Sequence, residues 1–444
     1  MHIKIKKGLT IPLKGGAFGK IQALPSPGEL ALDLDSFEFL RFSLLKKPGD
    51  EVSIGEPLAE DKECPGRIFV SPAAGTLKEV VRGLKRRILS LVIVCDATPH
   101  YFKHPKLKSD SQKELLSYLM KGGLFPHIRV RPCDRLPDPN TIPEAIFVKA
   151  VESAPFAPPP ELELEGHETL FQEGLSTLAR LCPVHLVHGK ASSCAAFKEA
   201  KDVQKHTTEG PHPVSQPSLH ISAIHPIKEN TQSVWTLTVH DVIAVGRLLK
   251  EGRYEDRRVI AIAGEGIPEN KRGYFRIPRG FPIRELIRGR CEDDRARLIS
   301  GDPLMGTKVE CGGYMKFFDS TFCVLPEAEG KRRFCHFIRP GTKSYTSTKT
   351  YFRKKDSYSF TTLQHGEERA FVDGAIYDRV SPLGIPIMHL VKALLAEDFE
   401  LAKSLGILGV SPEDFSLPSF ICPSKIEMPE IVRQGLRAYA EQYL

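Results

Sequence analysis

Apolar residues in the first hundred positions stand singly, separated by polar residues and glycines. The run Gly49-Asp50-Glu51-Val52-Ser53-Ile54-Gly55 is followed by Ser71-Pro72-Ala73-Ala74-Gly75-Thr76-Leu77 and by an apolar stretch from Ile88 to Val94. Each glycine permits a tight corner, and each isolated apolar side chain can point into a small β-sandwich. The pattern predicts an all-β domain over residues 1–104, of the kind called a barrel-sandwich hybrid.

From about residue 105 the pattern changes to short apolar strands that alternate with amphipathic helices. Such alternation is typical of an α/β domain with a mostly parallel sheet, and we expect this domain to occupy residues 105–267. Strands are predicted at residues 145–148, 184–187, 234–237 and 258–263, and helices at residues 112–121, 168–181 and 239–250.

The remaining chain is predicted to be β-rich first and helical at its end. Residues 268–330 read as strands with one short helix near residues 283–287. Residues 331–444 read as a further β-rich piece followed by helices at residues 386–396 and 399–404 and from residue 429 to the C-terminus. The fold class is therefore mixed, part α/β and part β, in several domains.

The distribution of charged and apolar residues argues against a nucleic-acid partner and against a membrane-spanning segment. The formal net charge is +7, and the basic residues lie in short groups that acidic stretches separate, whereas a nucleic-acid binder gathers them in one stripe. No apolar run approaches the roughly 18 residues of a membrane span, and the first residues lack the apolar core of a signal peptide. We expect a soluble cytoplasmic chain that binds no nucleic acid and reaches a membrane only through partners.

Lys62 raises the possibility of a covalent carrier. Barrel-sandwich domains carry lipoate or biotin on a hairpin lysine, and Lys62 precedes Ser71-Pro72 much as the modified lysine does. The spacing to Pro72 is longer than in lipoyl hairpins, and the basic turn Arg82 to Arg87 replaces the second half of their repeat. A docking module is the alternative that the residues favour.

The sequence offers little support for a metal site or for catalysis by this chain alone. The ten cysteines contain no CxxC pair. Cys182, His185 and His188 lie close in sequence, but a strand places His185 on the opposite face from the other two. A histidine-rich loop at residues 210–213 and 220–226 either binds a proton-exchanging ligand such as a quinone or is a polar loop with locked turns.

Taken together, the motifs resemble those of the A-subunit family of bacterial sodium-translocating NADH:quinone reductases. They follow one another in order along the whole chain. The matching motifs are Ile3-Lys4-Ile5-Lys6-Lys7-Gly8-Leu9, Asp61-Lys62 with Pro65-Gly66, Leu124-Phe125 with Arg129 and Arg131-Pro132, Gly210-Pro211-His212-Pro213, Tyr377-Asp378-Arg379 and Phe420-Ile421-Cys422-Pro423. The chain departs from the family pattern at Cys133, where a phenylalanine is usual, and at Ser222.

The resemblance implies a fold related to the flavin-binding subunit of complex I and to the C subunit of the Rnf complex. It implies that residues 105–267 lack the flavin site of those relatives, that residues 268–330 form a ubiquitin-like ligand-binding domain of the SLBB type, and that residues 331–444 form a β/helical end. It also implies that FMN, FAD and a [2Fe–2S] centre sit on other subunits, with none covalently on this chain. The partners are then the other five subunits, B to F, of a six-subunit complex, on the cytoplasmic side of the bacterial inner membrane.

The resemblance further implies a peripheral subunit that docks on the membrane subunits and helps to form the site where ubiquinone is reduced. Aromatic residues would contact the quinone ring or tail, and cationic residues or a histidine would contact its carbonyl oxygens or support proton delivery. The alternative is that the same residues only pack an interface in a structural subunit without a ligand. The candidate residues are Phe37, Phe39, Phe42, Phe125, Arg129, Arg131 and His212.

Overall fold

The structure is a computed structural model in which four β-sheets are followed by a helical C-terminal part. The β-rich piece predicted just beyond residue 331 falls largely outside the residues that it describes. The described residues are 1–107, 109, 111–291, 293–328, 345–346, 355–364 and 366–444.

Two antiparallel sheets form the N-terminal sandwich that the alternating pattern predicts. The strands of the N-terminal part are β1 (His2–Lys4), β2 (Ile21–Gln22), β3 (Glu29–Asp33), β4 (Phe42–Leu44), β5 (Glu51–Val52), β6 (Pro57–Asp61), β7 (Ile68–Val70), β8 (Gly75–Arg82) and β9 (Ile88–Cys95). One sheet has the strand order β3-β9-β8-β5 and the other β4-β6-β7. Leu58, Leu77 and Leu91 are fully buried between them.

The first two strands lie outside this sandwich. Predicted as part of residues 1–104, β1 instead pairs in parallel with the strand Gln204–Glu209, and β2 pairs with the strand Gly273–Pro278. The N-terminal segment therefore ties the central and third sheets to the sandwich.

The central sheet is parallel except at one edge, which confirms the mostly parallel prediction. Its further strands are β10 (Arg129–Arg131), β11 (Ala145–Ala150), β12 (Val184–Gly189), β13 (Gln204–Glu209) and β14 (Val234–Thr238). The strand order is β1-β13-β12-β11-β14-β10, and only β10 runs antiparallel to its neighbour. Its helices are α1 (Gln112–Lys121), α2 (Glu161–Leu164), α3 (Glu168–Leu178), α4 (Ala195–Lys198), α5 (Pro217–Ile224) and α6 (Val239–Glu251).

Local capping sets the start and end of α6. Thr238 Oγ1 accepts from the Asp241 backbone N–H, and the Asp241 carboxylate accepts from the Thr238 N–H at 2.8 Å, which completes a capping box. Gly252 ends the helix in the left-handed conformation, with φ of 64°. These signals fix Asp241 and its neighbour His240 at the end of β14.

The third sheet is mixed and shares its core with the sandwich. Its elements are β15 (Arg257–Ala263), β16 (Gly273–Pro278), α7 (Ile283–Ile287), β17 (Arg297–Ser300), β18 (Thr307–Lys308) and β19 (Thr321–Leu325). The strand order is β18-β17-β19-β15-β16-β2, and Phe275 and Phe322 pack into the same apolar cluster as Leu58. The strand predicted at residues 258–263 forms, but it pairs here and not in the central sheet.

The C-terminal part is helical, and its core includes Tyr377, Leu390 and Tyr439. Its last helix packs against the short turn Pro412–Phe415. No helix in the described ranges combines the length and the apolar character that a membrane span requires. The helices are α8 (Ala375–Asp378), α9 (Ile387–Leu395), α10 (Phe399–Ser404), α11 (Ser416–Ile421) and α12 (Met428–Tyr443).

Candidate functional site

A cleft of about 1380 Å³ lies where the four parts of the chain meet. Its floor is one face of the central sheet near β10. Its walls come from residues 35–41 of the sandwich, residues 316–319 before β19, residues 411–413 and helix α12. Every domain therefore contributes to one shared concave surface.

Strand pairing places cationic side chains on the floor. Arg129 lies opposite Thr236 on β14, and Lys149 on β11 lies opposite Thr238. Because side chains alternate along a strand and align between paired strands, Arg129, Arg131 and Lys149 share one face of the sheet. All three line the cleft.

Arg131 is the most buried cation of the floor. It is 3% exposed, and its Nη1 donates to Asp134 Oδ1 at 2.5 Å. Its Nε is buried and has no hydrogen-bond partner among the residues that the structure describes. Burial would raise the pKa of Asp134, but the charges of Arg131 and Arg129 outweigh it and lower that pKa. The guanidinium groups of Arg129 and Arg131 therefore share the Asp134 carboxylate, and the Nε donor of Arg131 has no acceptor within the described ranges.

Aromatic rings form the opposite wall. Phe37 packs edge-on against Phe318, with ring centroids 5.2 Å apart. The Arg129 guanidinium lies 4.0 Å from the centre of the Phe318 ring, and the Arg437 guanidinium lies 4.3 Å from that of Phe39. Phe39 and Phe318 are half-buried, and each has a guanidinium against its ring. The wall thus combines ring faces with cations.

A buried polar network closes the back of the cleft. His127 Nδ1 lies 3.1 Å from Asp241 Oδ1 and 3.2 Å from Arg279 Nη2, and its Nε2 lies 2.8 Å from the Tyr254 hydroxyl. Burial and then the charge of Arg279 lower the pKa of His127 to about 3, so its imidazole is neutral.

The same network is the one group of side chains in the described ranges that has the spacing of a metal site. Ligand atoms of His127, His240 and Asp241 lie within 4.8 Å of one another. A divalent cation there would lie beside the Arg279 guanidinium, whose Nη2 is 3.9 Å from Asp241 Oδ1. The geometry therefore favours a hydrogen-bonded ion pair over a metal centre.

Four of the seven predicted site residues come together. Phe37, Phe39, Arg129 and Arg131 all line the cleft, although they lie in two different domains. Phe37 is only 5% exposed and serves as the base of the aromatic wall. The contact of these residues with a quinone remains a prediction.

The other three predicted residues lie away from the cleft. Phe42 packs against Phe69, and Phe125 is fully buried against Trp235 with ring centroids 5.9 Å apart. His212 is 3% exposed, and its Nδ1 lies 3.0 Å from Ser153 Oγ. These positions do not face the space where a ligand of the cleft would lie.

The histidine-rich stretch is not the loop that its prolines suggested. Residues Pro217–Ile224 form α5, because proline is well suited to the first turn of a helix. His220 is buried in this helix and bonds the Val214 carbonyl through Nε2 at 2.9 Å. The interpretation as a polar loop at this position was wrong.

The histidines of the possible metal cluster and the possible carrier lysine lie, among the described residues, in environments without a ligand site. His185 stacks on Phe147 and His188 on Phe197, on opposite faces of β12 as the alternation requires. Lys62 is exposed in the turn between β6 and β7.

Sequence reasoning missed several residues of the cleft. The pair Phe317-Phe318 and the basic spacing Arg433 to Arg437 on one helix face are visible in the sequence, but neither signals a site by itself. Lys149 directly follows the strand predicted at residues 145–148 and was not proposed as a site residue. The missed lining residues that matter below are Lys149, Phe317, Phe318, Glu413, Arg433 and Arg437.

Comparison with known protein families gives matches in the same order as the domains. The NqrA N-terminal barrel-sandwich hybrid domain matches residues 3–96, the NqrA second alpha/beta domain matches residues 110–254, and the NQRA C-terminal domain matches residues 259–310. These matches support the barrel-sandwich hybrid at the N-terminus and the α/β domain that follows it.

Individual relatives cover almost the whole chain. The A subunit of the Na(+)-translocating NADH-quinone reductase of Yersinia pestis bv. Antiqua (strain Angola) is 34% identical over 450 residues, with 98% of each chain covered. The protein of the same name from Chlamydia caviae is 35% identical over 468 residues, covering 100% of this chain and 97% of the relative. A solved NAD+-reducing [NiFe]-hydrogenase in the H2-reduced state overlaps 76% of this chain and 65% of its own at 11% identity. The TM-score of this overlap is 0.36.

Proposed function

Because the chain belongs to the A-subunit family of Na(+)-translocating NADH-quinone reductases, we propose that its cleft forms part of the site where such a complex reduces quinone. The chain is thus one component of a translocase that couples electron transfer from NADH to quinone with sodium transport. The proposal concerns where in this subunit the quinone binds.

The single observation that carries the proposal is the pairing of half-buried aromatic rings with a buried guanidinium that has a spare donor. A quinone is a flat apolar ring with two carbonyl acceptors. It therefore needs an apolar wall and a few placed hydrogen-bond donors. Phe39 and Phe318 supply the wall, and Arg131 supplies the donor.

The individual roles follow from position. The ring packs between Phe39 and Phe318, and Arg131 and Arg129 donate to the carbonyl oxygens. The volume of about 1380 Å³ exceeds what a ring alone needs and leaves room for part of an isoprenoid tail. Phe42 and Phe125 contribute only by packing, and His212 acts only through the residues that it touches.

We extend the proposal to the cofactors of the complex, the side on which this chain docks and the folds to which it is related. The quinone is ubiquinone, and FMN, FAD and the [2Fe–2S] centre lie on other subunits. The chain docks from the cytoplasmic side on the membrane subunits of a six-subunit complex, and its fold is related to the C subunit of the Rnf complex and to the flavin-binding subunit of complex I. Residues 268–330, to whose sheet β15 adds a strand, are a ubiquitin-like domain of the SLBB type between the α/β domain and a C-terminal domain at 331–444.

Two other functions compete with this one. The first is a docking subunit without a ligand, in which the cleft residues pack against a neighbouring subunit. The second is a carrier, for which Lys62 offers an exposed turn. An intact mass equal to that of the unmodified chain would exclude the carrier, and kinetics of the assembled complex separate the remaining two.

Replacing Phe39 by alanine is expected to raise the KM for a short-tailed ubiquinone about tenfold in the assembled complex, with little change in kcat. The substitution removes a ring contact of about 1.5 kcal/mol, which is shared by the bound substrate and the transition state. Phe18→Ala is the matched control, because Phe18 is 50% exposed and does not line the cleft. An unchanged KM in a fully assembled Phe39→Ala complex would favour the docking subunit.

A further inference from the structure

A carboxyl group without a partner lines the cleft beside the floor. Glu413 lies in the turn Pro412–Phe415, which begins with a capping box in which Asp414 Oδ2 accepts from the Ser411 N–H at 2.7 Å. Gln216 Nε2 donates to the Glu413 carbonyl at 2.8 Å. The backbone is thereby fixed, while the half-buried Glu413 carboxyl makes no hydrogen bond or ion pair with the residues that the structure describes.

Lys149 is the cation that faces this carboxyl from the floor. Its Nζ lies 2.9 Å from Glu152 Oε2, and both side chains are largely buried. Burial raises the pKa of Glu413, Lys149 lowers it, and Glu152 raises it again, so that it lies at about 7 instead of 4.5. A carboxyl in this balance holds its proton near neutral pH and can also release it.

A chain of hydrogen bonds holds the Lys149–Glu152 pair in place from behind. Glu152 Oε1 accepts from Ser215 Oγ at 3.1 Å, and Ser215 Oγ lies 2.8 Å from Ser153 Oγ. Ser153 Oγ in turn lies 3.0 Å from His212 Nδ1. His212 thus reaches the cleft only indirectly, as the far end of the chain that positions Glu152.

We propose that Glu413 donates a proton to the quinone reduced in this cleft, a role that rests on the function proposed above. Two electrons that derive from NADH turn the quinone carbonyls into oxyanions. The O–H bond of the Glu413 acid breaks, its proton forms a new O–H bond on one quinone oxygen, and Glu413 is left as a carboxylate. The other quinone oxygen takes its proton from water, whose O–H bond breaks and leaves hydroxide in the solvent.

Lys149 serves as a positioning residue in this step. Its ammonium group stabilises the carboxylate that forms on Glu413, because an opposite charge nearby favours the ionised state. Water in the open cleft then returns a proton to Glu413, which restores the acid for the next turnover. No part of the step needs a group that the complex or the solvent does not supply.

The charges that face Glu413 come from three elements of the chain. Lys149 and Glu152 belong to β11 and the residues after it, Asp414 to the same turn as Glu413, and Asp302 to the loop after β17. Burial raises the pKa of Asp302 to about 6. Removing Lys149 should therefore raise the pKa of Glu413, and removing the charge of Glu152 should lower it.

The test is the pH profile of quinone reduction by the assembled complex. Donation requires the protonated acid, so the wild-type rate should fall as the pH rises through about 7. Glu413→Gln should lower the rate about tenfold or more and abolish this descending limb. Glu152→Gln should move the limb to lower pH and Lys149→Gln to higher pH. Glu310→Gln is the control, because Glu310 does not line the cleft and its side chain is 85% exposed.

Quinone binding to each isolated chain separates the two levels of the proposal. Normal quinone binding by Glu413→Gln, together with loss of the descending limb of the pH–rate profile, supports the donor role. Normal binding with an unchanged rate and limb overturns the donor role and leaves the quinone site standing. Absence of binding by the wild-type chain overturns both. If Glu413→Gln does not fold, opposite shifts in Glu152→Gln and Lys149→Gln support the role, and shifts in the same direction or none overturn it.

Discussion

Replacing Arg131 by alanine is expected to weaken quinone binding by about 10- to 100-fold. A hydrogen bond from a charged donor is worth about 1.5–3 kcal/mol in a buried setting, and Arg131 is only 3% exposed. Its Nε is one of several buried donors without a partner in the described part of the chain, and the substitution removes the guanidinium that we assign to a carbonyl oxygen. The measurement is the dissociation constant of a short-tailed quinone for the isolated chain.

Arg131→Lys is the matched control for charge. Lysine keeps the positive charge beside Asp134 but lacks the planar fork of the guanidinium, so an intermediate affinity is expected. Circular dichroism must show that each variant is folded, because Arg131 also donates to Asp134 at 2.5 Å. A folded Arg131→Ala chain with wild-type affinity would remove Arg131 from the site.

Replacing Asp61 by alanine is expected to lower the free energy of unfolding by roughly 3–5 kcal/mol, the usual effect of leaving a buried charge without its partner. The Asp61 side chain is fully buried and accepts from Arg67 Nη1 at 2.6 Å. Arg67 Nη2 also donates to the Pro137 carbonyl at 2.5 Å, so the pair joins the sandwich to the central domain. The measurement is a urea titration of the isolated chain.

Glu441→Ala is the comparison for this effect. Glu441 pairs with Arg437 at 2.6 Å on α12, but both side chains are about half exposed. Exposed pairs of this kind contribute about 0.5 kcal/mol or less. A loss below about 1 kcal/mol for Asp61→Ala would mean that water or another group satisfies Arg67 once the carboxylate is gone.

The sequence predicts the helices and strands of this chain well wherever the signals are local. The helix at Gln112–Lys121 has the predicted bounds. Both signals that set it, the spacing of its apolar residues and the N-cap Ser111, are local in sequence. The strand Arg257–Ala263 was also found, but not its partners. The sequence of an apolar strand does not show which sheet the strand will join, because its pairing partners are far away in sequence.

The site was only half visible for the same reason. Arg129 and Arg131 could be proposed only because they match a family motif, since the stretch that contains them was expected to be a loop and forms β10 in the structure. The sequence does not distinguish Phe125, which is buried in a core, from Phe39, which lines the cleft, because both are phenylalanines with apolar residues nearby. Glu413 lies hundreds of residues from Lys149, and they reach one surface because the turn Pro412–Phe415 packs on the central domain, where Gln216 donates to the Glu413 carbonyl.

The quinone site proposed for this protein is tested most directly by a fluorescence titration of the isolated chain with a short-tailed ubiquinone. The chain has a single tryptophan, Trp235, which lies next to Thr236 in the floor of the cleft. The indole of Trp235 is buried on the opposite face of β14 from Thr236, and we expect a bound quinone to quench its emission across the sheet. We predict quenching that saturates at one quinone per chain and weakens in Arg131→Ala. Quenching that rises linearly without saturation, and equally in wild type and variant, would contradict it.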